Sequence, residues 1–427
     1  MTTTGSSQGE NPLQPPWGPR PPRAPQALAS VRVVEFGWAA AGPLVGTHLA
    51  QHGADVIHVE SSTALDPFRS TYPPFKDNVV GPDRAGMFAF YNAGKRGVTL
   101  DLKQPRGVDL ALRLVRTADV VIESFPAGTL ARRGLGHDAL RRARPDLVLL
   151  SSCNQGQTGP HAQHPGYGSQ LTALAGFNEL LGEPGRTPVI LYGPYIDYVA
   201  VGYGVIAVLA ALERRRRTGE GCAIDLSQYE AGLQFLSPAL LEHAANGTVP
   251  TRDANHDRVA VPHGVYPADG DDRWVALSVW SDDEWARFGE AIGDPPWADD
   301  AELASAEGRR ARETELDARI AEWTRTQSRE EIVAALRRSG LRAAPVESIG
   351  ELFNDPQLAH RGVWRRAPHP GLGDVGLMAP PYELSETPAR ADRAGPTLGE
   401  HNEAVFKGLL GLGADEYAAL AADGVFA

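Results

Sequence analysis

Short apolar runs rich in β-branched residues alternate with helix-length segments through the first part of the chain, and this alternation restricts the fold more than any other feature. VRVVEF (31–36) reads as a buried strand, AGPLVGTHLAQHG as a helix closed by Gly53, and ADVIHVE as a second strand ending at Glu60. GVTLDL, DVVIES and DLVLLSS are further strands, with GVDLALRLVRTA a helix between the first two. Strands of this kind are buried on both faces, so they belong in a parallel sheet with helices packed above and below. The expected fold class is α/β, a Rossmann-like doubly wound parallel sheet.

The remaining segments set the domain plan. Residues 1–27 are polar and Pro-rich, predicting a disordered leader with no apolar signal core. A long apolar helix is expected at about 198–217, its ERRRR end (213–217) solvated and complementing the helix dipole. CAIDLSQYEAGLQFLSPALLEHA adds a short strand and a second long helix. Beyond 248, two strands around a DGDD turn, the helix DDEWARFGEAIG and a charged helical stretch at 311–339 predict a smaller α+β domain. The large domain is therefore expected to combine 28–225 with a C-terminal return at 346–427. A linker helix at 226–247 and the small domain at 248–345 come between.

Composition narrows the partners. The 427 residues include 53 acidic and 41 basic side chains, a net charge of −12, which argues against a broad surface for nucleic acid. No apolar run approaches the ~20 residues of a bilayer span, so no membrane partner is expected either. Cys153 and Cys222 are the only cysteines, which gives no disulfide framework and no cysteine-based zinc site, and a cytoplasmic location is expected. Cys153 reads as a small buried hydrophobe. After the first strand the glycines fall at 37, 42 and 46, which is not GxGxxG, and GxxxxGK[ST], HExxH and GxSxG are all absent. Dinucleotide, nucleoside-triphosphate, zinc-hydrolase and α/β-hydrolase chemistry are disfavoured accordingly.

Five segments in order do match something: VRVVEFGWAAAGPLVGTHLAQHGADVIHVE, NAGKRGVTLDLKQPRG, ADVVIESFPAGTLARRGLG, GQTGPHAQHPGYG and DYVAVGYGVIAVLAALERRRRTGEG. Together they resemble the class III coenzyme A transferase family, which includes formyl-CoA transferase and has α-methylacyl-CoA racemase as a close cousin. The resemblance implies an enzyme that moves CoA from an acyl-CoA thioester to a carboxylic acid. Acyl-CoA is then a substrate and no cofactor is tightly bound. It also implies an interlocked ring dimer, either a homodimer or a heteromer with a related chain.

The family's nucleophile is an aspartate that opens the long helix, here Asp197, whose carboxylate would form covalent aspartyl intermediates. A helix N-terminus is expected to favour its ionised form. Members usually carry Gly before this aspartate and small residues after it; here Ile196 precedes it and Tyr198 and Val199 follow. Tyr167 matches a family aromatic, and Gly168 stands where many transferases place an acidic residue that orients the nucleophile. For binding CoA, the resemblance carries over Arg69, Lys95, Phe125, Arg132, Arg133 and Tyr167, the cations as phosphate partners. For the substrate pocket it suggests Trp38, Ala40 (where formyl-CoA transferase has a glutamine), Tyr195, Tyr198 and His263. Ala40 and the missing glycine-rich loop argue against formyl-CoA, and the aromatic residues suit a larger apolar or aromatic acyl group. Two alternatives accompany this reading. One is a 2-methylacyl-CoA racemase, for which a tyrosine at 167 is a poor base at neutral pH. The other is a non-catalytic subunit of a heteromeric transferase, which the bulk around Asp197 would suit.

Overall fold

The computed structural model describes residues 26–427, so the expected leader lies almost wholly outside the described residues. The chain folds as two units. One comprises the described residues through Asn178, Ile190–Pro250 and Phe353–Ala427; the other comprises Glu179–Val189 and Thr251–Leu352.

The first unit opens with β1 (Arg32–Phe36), α1 (Ala41–Gln51), β2 (Asp55–Glu60), β3 (Arg96–Thr99), α2 (Pro105–Arg116), β4 (Val120–Glu123), α3 (Thr129–Arg132) and β5 (Val148–Cys153). It continues with α4 (Gly168–Leu174), α5 (Tyr195–Thr218) and β6 (Cys222–Ser227). The six strands form one sheet in the order β3-β2-β1-β4-β5-β6. All neighbours are parallel. Every residue of β4 and β5 is buried, which is why these strands show no polar alternation. Helix α1 lies so close to β1 that a Cβ at Gly46 would collide with the Glu35 carboxylate.

Helix α5 is 24 residues long and, among the described residues, is the one helix with the length and apolar composition to cross a bilayer, which the run-by-run reading of the sequence missed. Here Ile196, Ala200, Val201, Gly204, Val208 and Ala211 form a stripe buried in the unit's interior. Its arginine-rich end is only partly solvated: Arg215 pairs with Asp119 and Asp146, while Arg216 and Arg217 fold back on Glu213. The second long helix expected from the sequence is two helices, α6 (Gln228–Phe235) and α7 (Ser237–Asn246). Pro238 sits in the first turn of α7, where the missing N–H costs nothing, but it could not continue α6.

The second unit has an antiparallel sheet of β7 (His263–Pro267), β8 (Trp274–Ser278) and β9 (Arg342–Pro345). Helices α8 (Asp282–Ala291), α9 (Glu313–Thr324) and α10 (Arg329–Arg338) supply Phe288, Ile320, Ile332 and Leu336 to a core shared with Val275 and Leu277. The chain then returns to the first unit through the hairpin β10 (Trp364–His369) and β11 (Gly373–Met378) and ends in α11 (Ala414–Ala422). Val405, Phe406, Leu412, Leu420 and Val425 share a core with Val34, Phe36, Val98 and Leu110. Thr99 Oγ1 donates to the Phe426 carbonyl at 2.7 Å, tying the last residues to β3.

Candidate active site

The strand order turns back between β1 and β4, and ligands of doubly wound folds bind at the carboxyl ends of the strands flanking such a point. Trp38, just past β1, and Phe125, just past β4, meet there edge to face with ring centroids 5.6 Å apart. The turn carrying Trp38 has Ala39 in the left-handed region at φ 59°. Asp66, fully buried, holds that turn by accepting the Ala39 N–H at 3.0 Å while capping a short helix through Phe68 N–H at 2.7 Å. Ala40, the N-cap of α1, is 4% exposed and its methyl belongs to the apolar core, so it presents almost no surface to a substrate.

The cations proposed for the carrier divide into two kinds. Arg132, at the end of α3, and Arg133 are exposed and have no carboxylate partner among the described residues; Arg132 donates to Thr129 Oγ1 at 2.9 Å. Such groups are free to meet phosphate. Lys95 and Arg69 are not. Lys95 is 0% exposed and its ammonium donates to Glu35 (2.7 and 3.0 Å), the Pro43 carbonyl (2.7 Å) and Asn92 Oδ1 (2.9 Å). Arg69 is 1% exposed, with Glu60 held bidentately at 2.7 and 2.9 Å and its other N–H groups on the Pro82 and Pro396 carbonyls and Asp83. Neither has a donor left for a phosphate, so the structure corrects both assignments: these cations neutralise carboxylates inside the unit. Glu60, at the end of β2, is the partner of Arg69.

Asp197 is the third residue of α5, in its first turn; Pro194, not Asp197, is the N-cap. Its carboxylate is half-buried and accepts no hydrogen bond among the described residues. Burial pushes its pKa up to about 7, against the expectation that the helix terminus would keep it acidic: with no donor bound to it, desolvation outweighs the dipole. Its neighbour explains the glycine at 168. A Cβ there would lie 2.5 Å from Pro194 Cβ and 2.9 Å from Asp197 Oδ1, so only glycine admits the carboxylate to this position at the start of α4. Tyr167, exposed, precedes α4, its backbone N–H held by Gln170 Oε1 at 3.0 Å.

The other aromatic residues part company. Tyr195 packs against Phe177 and Phe235, in the small cluster that also holds Ile196, and is a packing residue rather than a pocket residue. Tyr198 turns its hydroxyl to that of Tyr91 and lines an apolar cavity of about 620 Å³ bounded by α1, α5 and residues 377–382. Tyr91 was not anticipated; an aromatic inside FAFYNAGKRG, next to the segment already matched, was the available signal. His263 opens β7 in the second unit, its Nδ1–H on the Asn255 carbonyl at 2.5 Å, and borders a cavity of about 430 Å³ with His256, Tyr266 and Asp317. Among the described residues no group of three or more His, Cys, Asp or Glu side chains could hold a metal ion. Cys153 is buried, and burial raises its thiol to about 12.

The family model described as CoA-transferase family III matches residues 28–402. A succinyl-CoA–D-citramalate CoA-transferase of Chloroflexus aurantiacus is 32% identical over 94% of this chain and 98% of its own. A succinate–glutarate CoA-transferase of Agrobacterium fabrum is 34% identical over 90% of this chain and 96% of its own. A crystal structure of a CAIB/BAIF family protein from Brucella suis superposes with a TM-score of 0.83 at 31% identity, covering 90% of this chain and 99% of that one. Near-complete overlap in sequence and in three dimensions leaves one assignment: the chain belongs to CoA-transferase family III and is a CoA-transferase, acting on CoA thioesters and carboxylic acids.

Proposed function

We propose that Asp197 is the covalent nucleophile of this transferase and that the surface carrying Trp38 and Phe125, past β1 and β4, with Arg132 and Arg133 after it, takes the CoA. The observation that carries the reading is a half-buried carboxylate with no hydrogen-bond partner, pushed up to about 7, beside a glycine that clears its approach. A carboxylate not engaged by protein donors is a better nucleophile than one satisfied by them. One oxygen of Asp197 attacks the thioester carbonyl; the C–S bond breaks, giving a mixed anhydride and CoA thiolate. The thiolate then attacks the aspartyl carbonyl, releasing the donor acid and leaving CoA as a thioester on Asp197. An acceptor carboxylate attacks that thioester, and the thiolate, freed again, attacks the acceptor carbonyl to give the new acyl-CoA and free Asp197. One thioester is exchanged for another, so no external energy source is required.

The relatives act on succinyl groups. In this chain no cation shifts Asp197, Tyr198 next to it in α5 lines an apolar cavity, and Trp38 is a partly exposed aromatic past β1. We read this as a preference for an uncharged, apolar or aromatic acyl group. Assembly as an interlocked homodimer is part of the same reading, supported by the exposed apolar face of α5 at Tyr203, Ile206 and Leu209. The experiment is mass spectrometry of the protein mixed with benzoyl-CoA or succinyl-CoA and quenched with hydroxylamine. The peptide containing Asp197 should gain a hydroxamate, and Asp197→Ala should gain none. Turnover with an unmodified peptide for both donors would refute the covalent assignment, and labelling with succinyl-CoA alone would refute the acyl preference.

A further inference from the structure

The loop between β5 and α4, residues 154–167, is held at one end by residues 123–128 and leads at the other to Gly168, beside Asp197. Gln157 is the residue that joins them. Its backbone N–H donates to Asp225 Oδ1 at 2.9 Å, which anchors the loop to β6. Its side-chain Nε2 donates to Glu123 Oε1 at 2.7 Å and lies 3.3 Å from Cys153 Sγ, while its Oε1 accepts the Gly128 N–H at 3.3 Å. Glu123, 6% exposed, uses its other oxygen to accept the Phe125 N–H at 3.1 Å. One amide side chain therefore grips both ends of the turn that presents Phe125. Gln163, later in the loop, adds a bond from its Nε2 to the Ala127 carbonyl at 3.0 Å. At the far end, Asn154 Nδ2 holds the Gly166 carbonyl at 2.9 Å, and Gly168 follows two residues on, pressed against Pro194 and the Asp197 carboxylate.

We propose that Gln157 is a positioning residue that couples occupancy of the CoA surface to the placement of Asp197. The proposal rests on the reading of residues 125–133 as the face that meets CoA and of Asp197 as the nucleophile. When the carrier orders the 125–128 turn, the turn acts on the loop through Gln157, with Gln163 as a lesser contact, and the loop carries that constraint to the start of α4, where Gly168 sets the space available to the carboxylate. Binding energy from the remote, unreactive part of CoA is thereby used to order the reacting group. An amide is the group required, because it must donate to Glu123 and accept from Gly128 at once; a carboxylate could not do the first, and an alkyl side chain neither.

The test uses free CoA as the probe, so it depends neither on the acyl group nor on turnover. Amide hydrogen exchange is followed by mass spectrometry with and without CoA, in the wild type and in Gln157→Ala. In the wild type CoA should slow exchange by on the order of tenfold in both 125–133 and 166–174. In Gln157→Ala protection of 125–133 should persist and that of 166–174 should vanish. Gln163→Ala, which removes only the Ala127 contact, is the milder variant if Gln157→Ala does not fold, and it should show the same split at reduced amplitude. Protection of 166–174 that survives in the variants, that is lost together with that of 125–133, or that is absent from the wild type overturns the coupling. Absence of protection at 125–133 in the wild type overturns the assignment of the CoA surface and the coupling with it, whereas failure of the Asp197 assignment would be read separately, from hydroxylamine trapping.

Discussion

Two carboxylates in the same unit have opposite fates. Glu35, on β1, is entirely buried; burial acts to raise it, but the ammonium of Lys95 and the bond from His58 Nδ1 at 2.6 Å overcome that and hold it down at about 2. Asp197 is less deeply placed, yet nothing offsets its desolvation, and it stands near 7. Depth does not explain the order, since the deeper group is the more acidic; the supply of partners does. A carboxylate whose oxygens are all engaged contributes to a unique fold, while one left without donors within a folded unit keeps a lone pair available for chemistry.

The largest effect that would test this contrast is on the Glu35 side. Lys95→Met should cost about 3–5 kcal/mol in urea denaturation, because it strands a buried carboxylate, with little change in CoA affinity for the folded fraction. Loss of CoA affinity at unchanged stability would break the comparison and return Lys95 to the carrier site. On the Asp197 side, Gly168→Ala places a methyl 2.9 Å from Oδ1 and should lower kcat by roughly tenfold or more with KM for the acyl-CoA nearly unchanged, a signature of misplaced chemistry rather than lost binding. The smallest effect concerns pH. The folded protein keeps a proton on Asp197 that the unfolded chain, with its aspartate near 3.9, has already released, so this group makes the fold less stable as pH rises from about 4 to 7. Asp197→Asn should therefore be more stable than wild type at pH 8, by about 1–2 kcal/mol after allowance for partial contact with water, and should lose that advantage below pH 4. In the wild type kcat/KM should rise with pH through an inflection near 7 and then level off, since only the ionised form attacks. A flat profile would show that the group never holds a proton in the working range.

Much of this architecture was legible in the chain. The six-stranded parallel sheet follows from runs such as VRVVEF and VLLSS, because only strands covered on both faces tolerate unbroken apolar sequence. The position of Asp197 followed from the matched segments. What could not be read was the state of each charge. Lys95 and Arg69 sit in matched positions, but whether such a cation faces a ligand or an internal carboxylate depends on partners that the fold brings together: Glu35 from 60 residues earlier in the chain, and the Pro396 carbonyl from more than three hundred later. The one available hint was a glutamate and a histidine inside buried strands, Glu35 and His58, since charges there demand company. The break between α6 and α7 was, by contrast, written plainly in Pro238 and overlooked in favour of the apolar pattern around it. Gly168 was noted as the loss of an acidic side chain; only its distance to Asp197 shows that a side chain would not fit.

Phe36 and Phe406 belong to one core, although the whole second unit is encoded between them. On the ribosome the early strands must therefore wait, their apolar faces open, while more than three hundred further residues are translated. The second unit, drawn almost entirely from a continuous stretch, is able to settle first. The first unit can thus close only when its C-terminal segment emerges, and yield in a heterologous host should depend on holdase chaperones that shield the nascent first half until then.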